Sequence, residues 1–119
     1  MSLPVAVQVY SVRDDAKADL RATLEKIKDM GYDGVEFAGL YGNSPADIKA
    51  MLDELGLTAV SAHVPFADLR RDAKGVIADY VTLGCKWIAV PYLDKADRPG
   101  SGDFDKTIAD IEMIGKEAK

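Results

Sequence analysis

The sequence of 119 residues contains one cysteine and one histidine. A lone cysteine, Cys85, excludes an internal disulfide framework and any cysteine-based zinc site. It follows Gly84 and precedes an apolar run, so it reads as a buried, inert thiol. A lone histidine, His63, is too isolated for a histidine metal cluster. No stretch approaches the ~18 consecutive apolar residues of a membrane span, and the first residues lack the basic and apolar regions of a secretory signal. With the single thiol, these absences lead us to expect a cytoplasmic protein with no membrane partner. Positive charge is also short. The 15 Lys and Arg against 20 Asp and Glu give a formal net charge of −5, which argues against nucleic acid as a partner. The one basic doublet, Arg70-Arg71, reads as a solvated helix start.

What is present is a globular composition, 48% hydrophobic and 29% charged, in a single domain over residues 1–119. One plan repeats four times. Val5 to Val12 (VAVQVYSV) alternates as a strand does, and Lys17 to Met30 places Leu20, Leu24 and Ile27 on one helical face before a cap at Gly31. Asp14 and Asp15 suit the start of that helix, where the dipole favours acids. Gly34 to Ala38 (GVEFA) is a second strand. Ser44-Pro45 then gives a cap and a proline in the first helical position, opening a helix that buries Ile48, Leu52 and Leu55 and stops at Gly56. Leu57 to Val64 is a third strand, followed by a helix over Arg71 to Leu83 burying Val76, Ile77 and Tyr80. Lys86 to Leu93 is a fourth strand. A loop from Asp94 to Gly102 leads to a helix marked by Phe104, Ile108 and Ile111.

Strands alternating with helices pair in parallel through right-handed crossovers. Two architectures accept four such units: an open doubly wound sheet, or half of a (β/α)8 barrel. Strand parity separates them. Val5, Val7 and Val9 share one face of the first strand while Gln8 and Tyr10 share the other. Val35 and Phe37 oppose Glu36, and Val60, Ala62 and Val64 oppose Ser61 and His63. A doubly wound sheet packs helices on both faces and reads as near-continuously apolar. One face bearing Gln8, Glu36 and His63 instead fits the inner wall of a barrel, so the expected fold is α/β, a (βα)4 half of a TIM barrel with outer helices.

The ordered set QVYSVRD (8 to 14), GYDGVEFAG (31 to 39), SAHVPF (61 to 66) and WIAVPY (87 to 92) resembles the xylose isomerase-like barrel superfamily, and within it the sugar phosphate isomerase/epimerase group. The resemblance covers residues 5 to about 115. It implies a barrel acting on a sugar, keto-sugar or polyol by metal-assisted proton transfer, in which a Lewis acid polarises a carbonyl while carboxylates move the adjacent proton. The divalent metal (Mn, Mg, Co or Zn) is held in that group by Glu, Asp, His and Glu on strands five to eight. Aligned this way, the chain ends before strand five, so neither metal ligands nor catalytic residues are expected in it.

What the resemblance carries over is the substrate side: Gln8, Tyr10 and Arg13 from the first strand motif, Glu36 from GVE, and His63 from the third strand. Relatives of abasic-site endonucleases use a second histidine after strand four, where this chain has Pro91-Tyr92. Plainer readings stand beside these. His63 can be a buried, hydrogen-bonded histidine, Glu36 can form a structural ion pair with Arg13 or a lysine, and Gln8 and Tyr10 can fill the barrel. Tyr41, Phe66 and Tyr92 follow strand ends and either line a pocket or cap the core. Two open sheet edges invite pairing, so a homodimer, or association with a missing C-terminal half, is expected. The alternatives to the isomerase/epimerase reading are a non-catalytic sugar-binding or self-associating half-barrel and a receiver- or flavodoxin-like domain. The last is disfavoured because His63-Val64-Pro65 occupies the place of a phosphoacceptor aspartate.

Overall fold

The computed structural model describes residues 2–119. Four strands, β1 (Ala6–Gln8), β2 (Gly34–Ala38), β3 (Thr58–His63) and β4 (Trp87–Ala89), form one sheet in the order β1-β2-β3-β4, every pair parallel. Between and after them run α1 (Arg13–Ala18), α2 (Leu20–Asp29), α3 (Pro45–Leu55), α4 (Phe66–Leu83) and α5 (Phe104–Glu117). Sequential strands lying side by side, each joined by a helical crossover, make half of a (β/α)8 barrel rather than a doubly wound sheet, in which the order would reverse at a switch point.

The helices cover one face only. Val35 and Phe37 of β2, Ala59 and Ala62 of β3, and Val64 just after it are buried in one core with Leu20, Leu24 and Ile27 of α2, Ile48 and Leu52 of α3, and Leu69, Tyr80 and Leu83 of α4. The inner face stays open. Trp87, the register partner of Ser61, is 73% exposed there. The local reasons for α3 to start and stop are plain in the sequence. Ser44 Oγ accepts from the Asp47 amide at 3.1 Å with Pro45 at the first helical position, and Gly56 ends α3 in the left-handed region at φ 68°.

Several sequence-based expectations are corrected. The first strand stops at Gln8, and Val9–Val12 is a 3-10 turn, because β2 offers β1 partners only from Gly34 to Glu36. Val9 is instead drawn wholly into the core. Asp14 and Asp15 do lie in the first turn of α1, but the expected helix over 17–30 is divided at Asp19, whose carboxylate accepts from the Ala22 amide at 3.0 Å and caps α2. In β3 the register shifts opposite Val35/Glu36, so Val60 is an extra residue and is 38% exposed, while Ala59 takes the buried place expected of it. That bulge explains Gly34: a Cβ there would sit 2.6 Å from the Thr58 carbonyl oxygen and 3.2 Å from Val60 Cγ1.

The third expected helix begins earlier, at Phe66, and is kinked at Asp72 (φ −155°, ψ 73°). There the Asp72 side chain accepts from the Gly75 amide at 3.0 Å, so the expected start at Arg71 marks the second of two merged segments. The fourth strand is shorter than expected, Trp87–Ala89, and the loop after it holds a 3-10 turn over Lys95–Asp97. In α5 the buried residues are Thr107 and Ile114, whereas Ile108 and Ile111 are each 42% exposed. The helix leans on α4.

Candidate functional site

The inner face carries one polar cluster, built by three strands in register. Gln8 pairs with Glu36 across β1 and β2, and Glu36 pairs with Ser61 across β2 and β3. His63 lies two residues beyond Ser61 and so projects from the same face. Gln8 Nε2 donates to Glu36 Oε1 at 2.6 Å, and Ser61 Oγ donates to Glu36 Oε2 at 2.5 Å. His63 Nε2 lies 3.4 Å from Glu36 Oε1, with Gln8 Nε2 3.3 Å from the His63 ring. Three of the five expected substrate residues thus converge on the inner face, Gln8 and His63 as the last residues of their strands and Glu36 at the middle of β2.

The other two behave differently. Tyr10 lies beyond the end of β1 and lines the same cavity as Gln8 and His63. Arg13 turns away from the cluster. Its guanidinium stacks 4.5 Å from the Tyr10 ring centroid and donates to the Tyr10 carbonyl at 3.0 Å. The alternative Glu36–Arg13 ion pair does not form, and Glu36 is instead held by neutral partners and the histidine.

The Ser61 hydrogen bond is the main cause that keeps the Glu36 carboxyl below its ordinary range, helped by Gln8 and His63 and opposed by burial. A depressed carboxyl contributes stability above its unfolded value, and that contribution is lost as pH falls through the folded value. Ser61→Ala is therefore expected to move Glu36 titration upward and to bring the acid-side loss of stability to higher pH. A side-chain carbon NMR titration checks this, and an unchanged Glu36 midpoint would contradict it.

Gln8, Tyr10 and His63 open onto a cavity of about 690 Å³, whose wall continues through Pro65, Asp68, Arg71 and Asp79 to Pro91 and Tyr92. Sequence reading did not single out Ser61, Asp68 or Asp79. The signal for Ser61 was present, since it shares the parity of His63. The two aspartates could not be placed until α4 was seen to start directly after β3. Of the aromatics after strand ends, Tyr92 lines the cavity, whereas Phe66 is 6% exposed and lies under the Arg70 guanidinium at 4.0 Å. Tyr41 is half-buried in a left-handed backbone conformation (φ 53°), and burial raises its phenol.

Cys85 is half-buried rather than buried, and burial pushes its thiol up to about 11, well away from the thiolate chemistry of a reactive cysteine. No group of three or more metal-ligating side chains occurs among the described residues. Glu36 and His63 supply two, short of the three or four protein ligands of a zinc site. The described residues of this chain therefore do not by themselves fit the divalent metal. Among the described residues no helix is long and apolar enough to cross a membrane.

The architecture is that of a half-barrel from the TIM-barrel class, and the comparisons with solved structures say the same. A sugar phosphate isomerase/epimerase from Parabacteroides distasonis superposes with a TM-score of 0.73 at 20% identity, over 99% of this chain and 49% of that one. A second sugar phosphate isomerase/epimerase from the same organism gives 0.72 at 24% identity, over 98% and 50%. This chain spans about half the length of these structures. No family model and no curated protein matches its sequence.

Proposed function

We propose that this chain is the substrate-binding half of a barrel that isomerises or epimerises a sugar, keto-sugar or polyol, with Gln8, Glu36 and His63 as the principal substrate contacts and Tyr10 at the rim. One observation carries the reading: the three polar side chains meet on the open inner face, beside the strand ends of Gln8 and His63, the side on which barrels of this class place their sites. The fold's likeness to two sugar phosphate isomerase/epimerases supports it. In this role Ser61 and Gln8 hold Glu36 ionised, and Glu36 accepts a hydrogen bond from a substrate hydroxyl. His63, tethered to Glu36 on one side, presents the rest of its ring to the cavity. A divalent metal in a complete barrel would take its ligands from the other half and supply carbonyl polarisation.

Titration calorimetry with D-fructose and myo-inositol tests the pocket. We expect binding by the parent and about tenfold weaker binding by His63→Ala, as loss of one hydrogen bond to a charge-assisted cluster implies. Equal affinities would end the assignment.

We further propose that the chain self-associates, and that it works in the cytoplasm, in keeping with its single unpaired thiol. β1 and β4 end the sheet, and Trp87, Val5, Ile108 and Ile111 are exposed beside those edges. A two-fold axis along the barrel axis would join β4 of each copy to β1 of the other, keep all strands parallel and remove both edges. Sedimentation is expected to give twice the chain mass. A stable monomer at high micromolar concentration would contradict the dimer.

A further inference from the structure

The cavity's ionic lining says what kind of sugar it takes, an inference that rests on the reading of the site given above. Every arginine on the strand-end side is already engaged within the chain. Arg71 Nη1 donates to Asp68 at 3.0 Å, and Arg70 donates to Asp97 and Asp110 at 2.7 and 2.8 Å. Arg98 donates to the Leu93 carbonyl at 2.8 Å, and Arg13 lies on Tyr10 and bonds its carbonyl. No lysine lines the cavity among the described residues.

Carboxylates point the other way. Asp68 and Asp79 line the cavity, and Glu36 touches both Gln8 and His63 beneath it. The two lining carboxylates, with Glu36 beneath them, outnumber the one lining arginine, Arg71, which is already paired with Asp68, so the charge at the cavity is acidic. A phosphate needs cationic or amide donors in a fixed cradle, and here its charge would meet like charge. A polyol needs the opposite. Its hydroxyls are donors seeking acceptors, and the Asp68, Asp79 and Glu36 oxygens provide them. Its C–H faces need apolar surface, which Tyr10 and Tyr92, 53% and 64% exposed, provide.

We infer that the Gln8–Glu36–His63 cavity takes an uncharged, hydroxyl-rich sugar or cyclitol and discriminates against its phosphate ester. Asp68 and Asp79 are the discriminating residues, and Tyr10 and Tyr92 are the walls against which the ring lies.

Titration calorimetry on the full chain compares D-fructose and myo-inositol with D-fructose 6-phosphate at low ionic strength. The neutral ligands are expected to bind at least tenfold tighter than the ester. The double substitution Asp68→Asn/Asp79→Asn lies on the exposed side of α4 and is expected to narrow that ratio. Tighter or equal binding of D-fructose 6-phosphate would overturn the inference while leaving a sugar site in place. Failure of all three ligands to bind would instead overturn the site reading, and this inference with it. An unchanged ratio in the double variant would overturn the role given to the two aspartates.

Discussion

Truncating Phe37 to alanine is expected to cost about 3–5 kcal/mol, enough to unfold a large share of the chain. Phe37 is fully buried in the middle of the strand that pairs on both sides, with β1 at Gly34–Glu36 and with β3 along its whole length. Its ring projects to the helix-covered face, where the Leu24, Ile48 and Leu52 side chains are also fully or almost fully buried. Removing the ring therefore opens a cavity that rigid neighbours cannot close. The open inner face cannot compensate, since water already covers it. Urea unfolding followed by circular dichroism, at one fixed protein concentration so that association does not alter the comparison, measures the loss. A midpoint close to that of the parent would mean that the core does not lie between β2 and the helices.

The second large effect is on the site. Glu36→Gln is expected to weaken polyol binding roughly ten- to hundredfold, the range of about 1.5–3 kcal/mol for a hydrogen bond to a charged group. The amide keeps the size of the side chain but brings an N–H pair to a place where Gln8 Nε2 and Ser61 Oγ both donate. Ser61 or Gln8 must then give up donating a charge-assisted bond and accept from the new amide, and the cluster that orients His63 loosens. Because Glu36 is partly exposed, the fold itself should survive, with a thermal midpoint near that of the parent. Calorimetric titration with myo-inositol reads the binding loss. Unchanged affinity would show that the carboxylate serves only the sheet.

The alternation that placed Gln8, Glu36 and His63 on one face was legible because strand parity is local and the three positions lie inside or at the end of real strands. Ser61 followed the same rule. Helix positions buried by amphipathic spacing, such as Leu20, Leu24, Ile48 and Leu52, were equally legible. What was not legible depended on partners. Val60 reads as a member of the apolar row that meets the helices, yet the bulge that leaves it exposed exists only because Glu36 pairs with Ser61 rather than with Val60. Val9 to Val12 has the β-branched content of a strand, but β1 runs out of ladder at Gln8 and the chain turns instead. Ile108 and Ile111 mark an apolar stripe, and yet stay half-exposed while Thr107 and Ile114 take the buried places of the helix.

Asp68 and Asp79 teach the same lesson at the site. A long helix starting directly after Pro65 brings its polar side to the cavity, and no periodicity in the sequence says which way that helix leans. Arg13 is the reverse case. Its position in the first strand motif suggested a ligand contact, and its guanidinium lies on the Tyr10 ring and donates to the Tyr10 carbonyl.

The central claim is that the open inner face is a sugar or polyol site centred on Gln8, Glu36 and His63. Chemical-shift mapping by NMR tests it most directly, following the Gln8 side-chain amide and the His63 ring as myo-inositol is added. The account predicts saturable shifts at both groups, joined by Tyr10 and Tyr92 at the rim. Shifts confined to residues 94–102, or the absence of any saturable change at Gln8 and His63, would contradict it.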